Sequence, residues 1–113
     1  MKNVNVFTKV SLKDVKEIDI TAKRWFQSSY GNTYHSVLLS VFDGKKWIEL
    51  AYNDFEYGYG DHYMHTALRL LKDSLTDFDI EINQAMYSIL TFCREHNIQL
   101  HDNVRDVKRK KDL

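Results

Sequence analysis

Hydrophobic and polar residues alternate along the first half of the chain, with the period of two that is typical of β-strands. A loose alternation over Val4 to Leu12 predicts a first, edge-like strand, and a sharper alternation begins at Val15. In the second segment Ile18, Ile20 and Ala22 fall on one face, and charged or hydroxyl-bearing residues occupy the positions between them. The pattern therefore predicts a weak edge strand followed by a half-buried one.

A turn and a more apolar strand come next. Residues 28–32 have the composition of a turn, because Gly31 and Asn32 adopt positive φ at little cost. The following segment, Thr33 to Phe42, has β-branched and apolar residues on both faces. Such a strand is often covered on both sides, so we expect this segment to be the central strand of a sheet.

A second hairpin is predicted at residues 43–44, where Asp-Gly forms a short turn motif. Alternation then resumes over residues 47–52 and places Leu50 and Tyr52 on the face opposite to Ala51. Three antiparallel strands joined in sequence by short turns form a β-meander.

Two helices are predicted after the meander, because apolar residues now recur every three to four positions. The first runs from Asp61, a residue type favoured at a helix N-cap, to Ser74. Its apolar face consists of Met64, Ala67, Leu68, Leu71 and Leu75. The second helix has the apolar set Ile82, Met86, Ile89, Leu90 and Cys93, and Asn97 is placed to end it.

The order of these elements predicts an α+β fold, in which a three- to four-stranded antiparallel meander is followed by two helices packed on one face. Scattered apolar residues between Ile98 and Leu113 leave two alternatives for the C-terminal segment, a last edge strand or a frayed tail. We expect a single domain over residues 1–104 and a basic tail over residues 105–113, which has the composition of a disordered segment.

The composition restricts the class of protein. A chain of 113 residues with 43% hydrophobic residues can form one domain with a core. Sixteen basic and sixteen acidic side chains cancel, so the overall field that steers many DNA-binding and lipid-binding proteins is absent. The single cysteine, Cys93, cannot form an intrachain disulfide, which favours a reducing compartment and predicts a cytoplasmic protein. No segment has the apolar run of a signal peptide or a membrane span, so we expect neither export nor membrane insertion.

The densest unusual feature is the segment from Tyr52 to Tyr63, which joins the last meander strand to the first helix and contains five aromatic residues in twelve. Two glycines in it allow a tight bend, so Tyr57 and Tyr59 would point in different directions. Three interpretations are open: a structural corner, an aromatic recognition surface, and a phosphate site at the helix start, which the Asp61 carboxylate disfavours.

A second aromatic cluster lies on the strands that flank the first hairpin. If these strands pair across the turn, Trp25 and Tyr34 lie near each other, with Arg24 and His35 beside them. Basic residues interleaved with aromatic ones suit single-stranded nucleic acid, because bases stack on rings and cations attract phosphates. The alternative is ordinary cross-strand packing with charges on an edge strand.

The histidines are the candidates for metal binding or catalysis. His62 and His65 are three residues apart at the predicted helix start, and His35 could supply a third ligand only if the central strand passes that point. His35 could also act as a general base. No nucleophile, phosphate-loop, paired-carboxylate or cofactor motif accompanies these residues. We therefore expect no metal, no cofactor and no enzymatic activity.

Three short motifs follow one another along the chain: KRWF at residues 23–26, GNTYHS at residues 31–36, and YGYGD at residues 57–61 with Tyr63 after it. Together they resemble a group of small uncharacterised proteins encoded by bacteriophages and related mobile elements, over about residues 18–72. The group has no established activity, so the resemblance implies no catalytic residue. It implies a genetic setting in which small accessory proteins often bind and disable or redirect a host protein, including immune nucleases.

These observations predict a small non-enzymatic accessory protein of the phage type that binds and modulates a host macromolecule, for example as an anti-defence inhibitor of a host immune nuclease. The alternative is a nucleic-acid-binding module that uses an aromatic and basic strand face. The predicted partner-binding residues are Arg24, Trp25, Tyr34, His35, Tyr57, Tyr59 and Tyr63. The expected partner is a host protein or protein–nucleic-acid complex, with direct nucleic-acid binding and a homodimer left open and no membrane partner.

Overall fold

The computed structural model describes residues 4–78 and 88–113. Within these ranges the chain forms strands β1 (Val4–Val6), β2 (Glu17–Gln27), β3 (Asn32–Phe42), β4 (Trp47–Tyr57) and β5 (Gln99–Val107), and helices α1 (His62–Ser74) and α2 (Ile89–Glu95). Two short 3-10 turns lie at Leu12–Asp14 and Lys110–Asp112. The predicted α+β class is therefore confirmed.

The described strands form one mixed sheet in the order β1-β4-β3-β2-β5. β5 is parallel to β2, and every other neighbouring pair is antiparallel. The predicted meander corresponds to β2, β3 and β4, with β3 at the centre as expected, but the complete sheet is not purely antiparallel. β4 and β5 run in the same direction, so the chain has to cross back over the sheet between them. After such a crossover β5 pairs with β2, which also runs in that direction, and the pair is therefore parallel.

The C-terminal segment contains a strand of nine residues rather than a frayed tail. β5 pairs with β2 from Glu17↔Gln99 to Trp25↔Val107, and it therefore continues across the domain boundary that the sequence predicts at residue 104. The sequence pattern of β5 is weak because this edge strand has only one neighbour and most of its residues are half-buried or exposed.

Both helices pack on one face of the sheet and enclose the hydrophobic core. On the sheet side the core contains Ile18, Ile20, Ala22, Val37, Leu39 and Val41, as the alternating pattern predicts. On the helix side it contains Ala67, Leu68, Leu71, Ile89, Phe92 and Cys93. Burial of a leucine or isoleucine side chain contributes roughly 1.5–3 kcal/mol, so this layer is the main source of stability. Neither α1 nor α2 covers the opposite face of the sheet, which we call the helix-free face.

Two irregularities in β4 decide which face its residues occupy. The first lies next to the pair Leu39↔Ala51, where Leu50 is an extra residue. As a result Leu50 and Ala51 are both buried, and Tyr52 lies on the helix-free face. The prediction that Leu50 and Tyr52 share a face opposite to Ala51 is wrong for this reason.

The second irregularity lies opposite Ser36, where two residues of β4 span one residue of β3. The buried side chain of Asn53 stabilises it, because its Oδ1 accepts a hydrogen bond from the Phe55 amide at 3.0 Å and its Nδ2 donates to Glu56 Oε1 at 3.2 Å. β4 thereby continues to Tyr57, whereas the sequence pattern predicts its end at residue 52. Half of the segment predicted as an aromatic corner is therefore strand.

The start of α1 and the end of α2 agree with the predicted capping residues, but α2 begins at Ile89, after the extended backbone of Ser88, and not near Ile82. α1 begins after Asp61, although the Asp61 side chain makes no capping hydrogen bond. α2 begins after Ser88, whose hydroxyl accepts a hydrogen bond from the Thr91 amide, and ends before Asn97, which has the positive φ expected there. The first half of the predicted second helix lies outside the described residues. Neither described helix is long and apolar enough to cross a bilayer.

Candidate functional site

A group of aromatic rings lies on the helix-free face of the sheet, where β2, β3 and β4 are neighbours. Trp25 is paired with Tyr34, and Tyr34 is paired with Tyr57 on the next strand. The Trp25 and Tyr34 rings are stacked with their centroids 5.7 Å apart, and Tyr57 meets Tyr34 edge-on at 5.6 Å. Phe55 stacks on Tyr34 with a centroid distance of 4.6 Å. We refer to Trp25, Tyr34, Phe55 and Tyr57 as the aromatic cluster.

Phe55 is the member of the aromatic cluster that the sequence-based prediction missed. Phe55 and Tyr57 share a face by alternation, and the second irregularity of β4, which depends on the register with β3, makes this the helix-free face. The Nζ of Lys110 lies 4.9 Å from the centroid of the Phe55 ring, which is a cation–π contact. The C-terminal 3-10 turn is therefore held against the aromatic cluster.

Tyr59 extends the aromatic cluster into the loop between β4 and α1. Tyr57 Oη donates a hydrogen bond to Tyr59 Oη at 3.0 Å, and Tyr59 Oη donates to the carbonyl oxygen of Gly31 at 3.3 Å. The hydrogen bond with Tyr59 raises the pKa of Tyr57, so this phenol is protonated at neutral pH. Tyr57 is 48% exposed and Tyr59 is 55% exposed, so both rings belong to the surface.

The same end of the molecule exposes two further aromatic residues. Phe26, near the end of β2, is 57% exposed, and Tyr30, in the turn that follows, is 77% exposed. The exposed aromatic residues elsewhere in the described ranges are Trp47, at the opposite end of β4, and Phe7, after β1. Exposed aromatic surface is therefore concentrated where the β2–β3 turn meets the β4–α1 loop, and such concentrations usually mark interaction sites.

A shallow groove of about 830 Å³ runs beside the aromatic cluster along β5. Five of the side chains that line it are basic, namely Lys23, Arg105, Lys108, Arg109 and Lys111. Lys23 and Arg105 are directly paired across β2 and β5, two residues from the pair Trp25↔Val107. The basic groove and the aromatic cluster therefore adjoin each other on the sheet.

The two acidic residues that line the basic groove are already paired with arginines. Asp106 Oδ1 accepts a hydrogen bond from Arg24 Nε at 2.9 Å, and Asp112 Oδ2 accepts one from Arg109 Nε at 3.3 Å. By contrast, the described part of the chain places no carboxylate within salt-bridge distance of the other four basic groove residues, Lys23, Arg105, Lys108 and Lys111. Most of the positive charge in the basic groove is therefore available to a ligand.

Arg24 lies on the helix side of the sheet, away from the aromatic cluster. Besides its ion pair with Asp106, its Nη1 donates a hydrogen bond to the carbonyl oxygen of Gly60 at 3.1 Å. Arg24 thus connects β2, β5 and the loop before α1. Its contacts with Asp106 and Gly60 therefore give Arg24 a structural role.

Tyr63, in the first turn of α1, is only 3% exposed. Its Oη donates to the Asp102 carboxylate on β5, with both carboxylate oxygens at 2.9 Å. Burial and, next, the hydrogen bond to Asp102 raise the pKa of Tyr63 to about 12. The hydroxyl is therefore a hydrogen-bond donor that connects α1 to the edge of the sheet.

His35 is enclosed between β3 and α1 and is 1% exposed. Its Nε2 lies 2.7 Å from Thr66 Oγ1, and its Nδ1 has no hydrogen-bond partner among the described residues. Burial and, next, the positive charge of His62 lower the pKa of His35 to about 4. The imidazole is therefore neutral at pH 7 and is not presented to solvent.

The central strand does pass the start of α1, as a shared histidine site would require. The rings of His35 and His62 lie 5.6 Å apart, and those of His62 and His65 lie 5.4 Å apart. Within residues 4–78 and 88–113, however, no three histidine, cysteine or acidic side chains are grouped so that they could hold a metal ion.

Burial raises the pKa of Cys93 to about 12, so its thiol is protonated.

Comparison of the chain with protein-family models, curated proteins and solved structures finds no match. The structure brings together Trp25, Tyr34, Tyr57 and Tyr59. It places Arg24, His35 and Tyr63 on the helix side of the sheet, the last two in the interior. The sequence pattern predicts a basic tail over residues 105–113, whereas the structure places Arg105 on β5 and Lys108, Arg109 and Lys111 directly after this strand along the basic groove.

Proposed function

We propose that the protein is a non-enzymatic binding module that engages a macromolecular partner through the aromatic cluster and the tyrosines beside it. The observation that carries this proposal is the stack of Trp25, Tyr34 and Phe55 on the sheet face opposite to α1 and α2. A sheet face in contact with water usually has polar side chains. Tyrosine and tryptophan are preferred in binding sites because they provide a large contact area at a small cost in side-chain entropy.

The exposure of Tyr57 and Tyr59 supports contact with a partner. A purely structural corner would place these rings in the interior, as the fold does with Tyr63 at 3% exposure. Instead each of these residues is about half exposed, and their hydroxyl groups bond to each other and to Gly31 at the surface. The hydrogen bonds hold the rings in place before a partner arrives, which lowers the entropic cost of binding.

The environment of His35 supports binding rather than catalysis. This histidine is the candidate general base of the sequence, and a general base has to come within hydrogen-bond distance of its substrate. His35 is instead buried, and its Nε2 is engaged with Thr66.

The phage-type motifs extend the proposal to an accessory protein that acts on a host macromolecule in the cytosol. Each motif contributes one ring to the aromatic cluster: Trp25 from KRWF, Tyr34 from GNTYHS and Tyr57 from YGYGD. One host macromolecule that fits this setting is an immune nuclease, which the protein would inhibit as an anti-defence factor.

Capture from host lysate tests the proposed function. The immobilised protein is compared with the double variant Tyr57→Ala, Tyr59→Ala and with Trp47→Ala, which removes an exposed ring from the far end of the same face. We expect the double variant to lose the captured partner and to keep its thermal transition, whereas Trp47→Ala retains both. A partner that binds the double variant as well as the original chain would contradict the proposal, and so would the absence of any partner.

A further inference from the structure

The basic groove and the aromatic cluster together form a surface on which positively charged side chains lie beside aromatic rings. Lys23 and Arg105 lie two residues along their strands from Trp25 and Val107, which corresponds to roughly 7 Å between the two levels. This separation is comparable with the distance between the phosphate and the base of one nucleotide. A cation pair therefore lies beside a stacking ring at the spacing that a nucleotide requires.

The rings differ in how much of them a ligand can reach. Tyr34 has neighbours on its two sides, Trp25 and Phe55, so its role is to hold the row together. Trp25 is half-buried and is paired with Val107, which lines the basic groove, and Tyr57 and Tyr59 are about half exposed. Bases can therefore stack against the exposed tyrosine rings beside this row, which is how aromatic platforms bind nucleic acid without reading its sequence.

The basic groove has a local positive charge, although the net charge of the whole chain is zero. Lys23, Arg105, Lys108 and Lys111 have no carboxylate partner among the described residues. Lys110 extends the positive charge to Phe55 in the aromatic cluster. Local positive charge of this kind attracts phosphates even where the net charge is zero, because at physiological salt the attraction acts over only about 8 Å.

We propose, building on the proposed function, that the partner is a single-stranded nucleic acid, with its phosphates in the basic groove and its bases against the aromatic cluster. A duplex hides the faces of its bases and would engage only the charges. An acidic peptide matches the charges but supplies no regular series of planar rings. A single strand matches both halves of the surface.

The two tryptophans allow a matched spectroscopic test, since Trp25 and Trp47 lie at opposite ends of the same sheet face. In the Trp47→Phe variant all tryptophan fluorescence comes from Trp25, and in the Trp25→Phe variant it comes from Trp47. Single-stranded DNA and RNA homopolymers of roughly 15 nucleotides, near the upper end of small single-strand sites, are titrated into each variant. We expect quenching of Trp25 and little change of Trp47. Equal quenching of both, or of Trp47 alone, would place the nucleic acid elsewhere and overturn the proposal.

Charge variants test the basic groove by fluorescence anisotropy of labelled oligonucleotides. Lys23→Gln with Arg105→Gln removes the cation pair, and Lys45→Gln with Lys46→Gln removes two lysines from the β3–β4 turn as a control. We expect at least a tenfold loss of affinity for the first variant and none for the second. Loss of two phosphate contacts should also reduce the slope of log K against log salt by about 1.4. Equal effects of the two double variants would overturn the proposal, as would a duplex that binds as tightly as the single strand.

The outcome for this proposal can be separated from that for the proposed function. If no oligonucleotide binds at micromolar concentration, while capture from nuclease-treated lysate still depends on Tyr57 and Tyr59, the partner is a protein and only the nucleic-acid proposal fails. If neither an oligonucleotide nor a lysate component binds, both proposals fail. DNA and RNA arms of the titration identify which single strand is preferred.

Discussion

His35 Nε2 lies 2.7 Å from Thr66 Oγ1 in the interior between the central strand and α1. Both side chains are nearly inaccessible, at 1% and 2% exposure. A buried polar pair of this kind fixes the position of a helix on a sheet, because either partner alone would be left without a hydrogen bond. The contact therefore specifies how α1 is seated over β3.

The first prediction is that His35 makes the fold sensitive to acid. Its pKa is about 4 in the folded state and about 6.5 in the unfolded chain. Above pH 6.5 both states are neutral, but between pH 6.5 and 4 only the unfolded state takes up the proton. The free energy of unfolding should therefore fall as the pH falls through this window, by at most roughly 3 kcal/mol. Denaturant titrations at a series of pH values measure this fall.

Two variants assign the acid sensitivity to its source. His35→Gln should be less stable at neutral pH, since it disturbs the contact with Thr66, but it should lose the contribution of His35 to the pH dependence. His62→Gln should retain most of that contribution, because burial affects the pKa of His35 more than the charge of His62 does. A pH dependence that is unchanged in His35→Gln would show that another group is responsible.

The second prediction concerns Gly58, which is buried where the β4–α1 loop begins. A Cβ at this position would lie 2.6 Å from the Cβ of His62, which is fixed to the backbone of α1 and cannot rotate away. Gly58→Ala should therefore shift the start of α1 and cost roughly 1–3 kcal/mol of unfolding free energy. Thermal and denaturant unfolding measure the loss.

Gly60→Ala is the matched control in the same loop. Gly60 has a φ of +53°, and a Cβ there would meet no atom within 4 Å. Its substitution has only the cost of a left-handed backbone, roughly 1 kcal/mol. If Gly60→Ala destabilises the protein more than Gly58→Ala does, steric contact with His62 is not the constraint on Gly58.

The third prediction is that Tyr63 ionises late and that Asp102 contributes to the delay. The pKa of Tyr63 is about 12, with burial as the larger cause and the hydrogen bond to Asp102 as the next. Asp102→Asn should lower the pKa of Tyr63 but leave it above the usual value of about 10. An NMR titration of the tyrosine rings, with the resonance assigned by Tyr63→Phe, measures this shift. A pKa that stays unchanged in Asp102→Asn would remove the carboxylate as a cause.

The strand faces could be predicted from the sequence where one period persists, and not where the register changes. The inner faces of β2 and β3 follow from alternation at Ile18, Ile20, Val37 and Leu39 because neither strand contains a bulge. The face of Phe55 could not be predicted, since it depends on an irregularity of β4 that exists only in its pairing with β3.

The division of the predicted site could have been foreseen. Arg24 precedes Trp25 and His35 follows Tyr34, and neighbouring residues of a strand point to opposite faces. The same period that unites Trp25 with Tyr34 therefore separates both from Arg24 and His35. The contribution of Arg105 could not be foreseen, because only the parallel pairing of β5 with β2 brings it beside Lys23.

The last prediction is that the rings of the aromatic cluster stabilise one another, as a preformed platform requires. A double-mutant cycle with Tyr34→Leu and Phe55→Leu should give a coupling of about 0.5–1.5 kcal/mol, since these rings are stacked at 4.6 Å. A control cycle between Tyr34 and Trp47, which lie at opposite ends of the face, should give zero within about 0.5 kcal/mol. Denaturant unfolding of the single and double variants supplies both values. Without coupling in the first cycle, the rings would have to be ordered by the partner, and the entropic cost of that ordering would weaken binding.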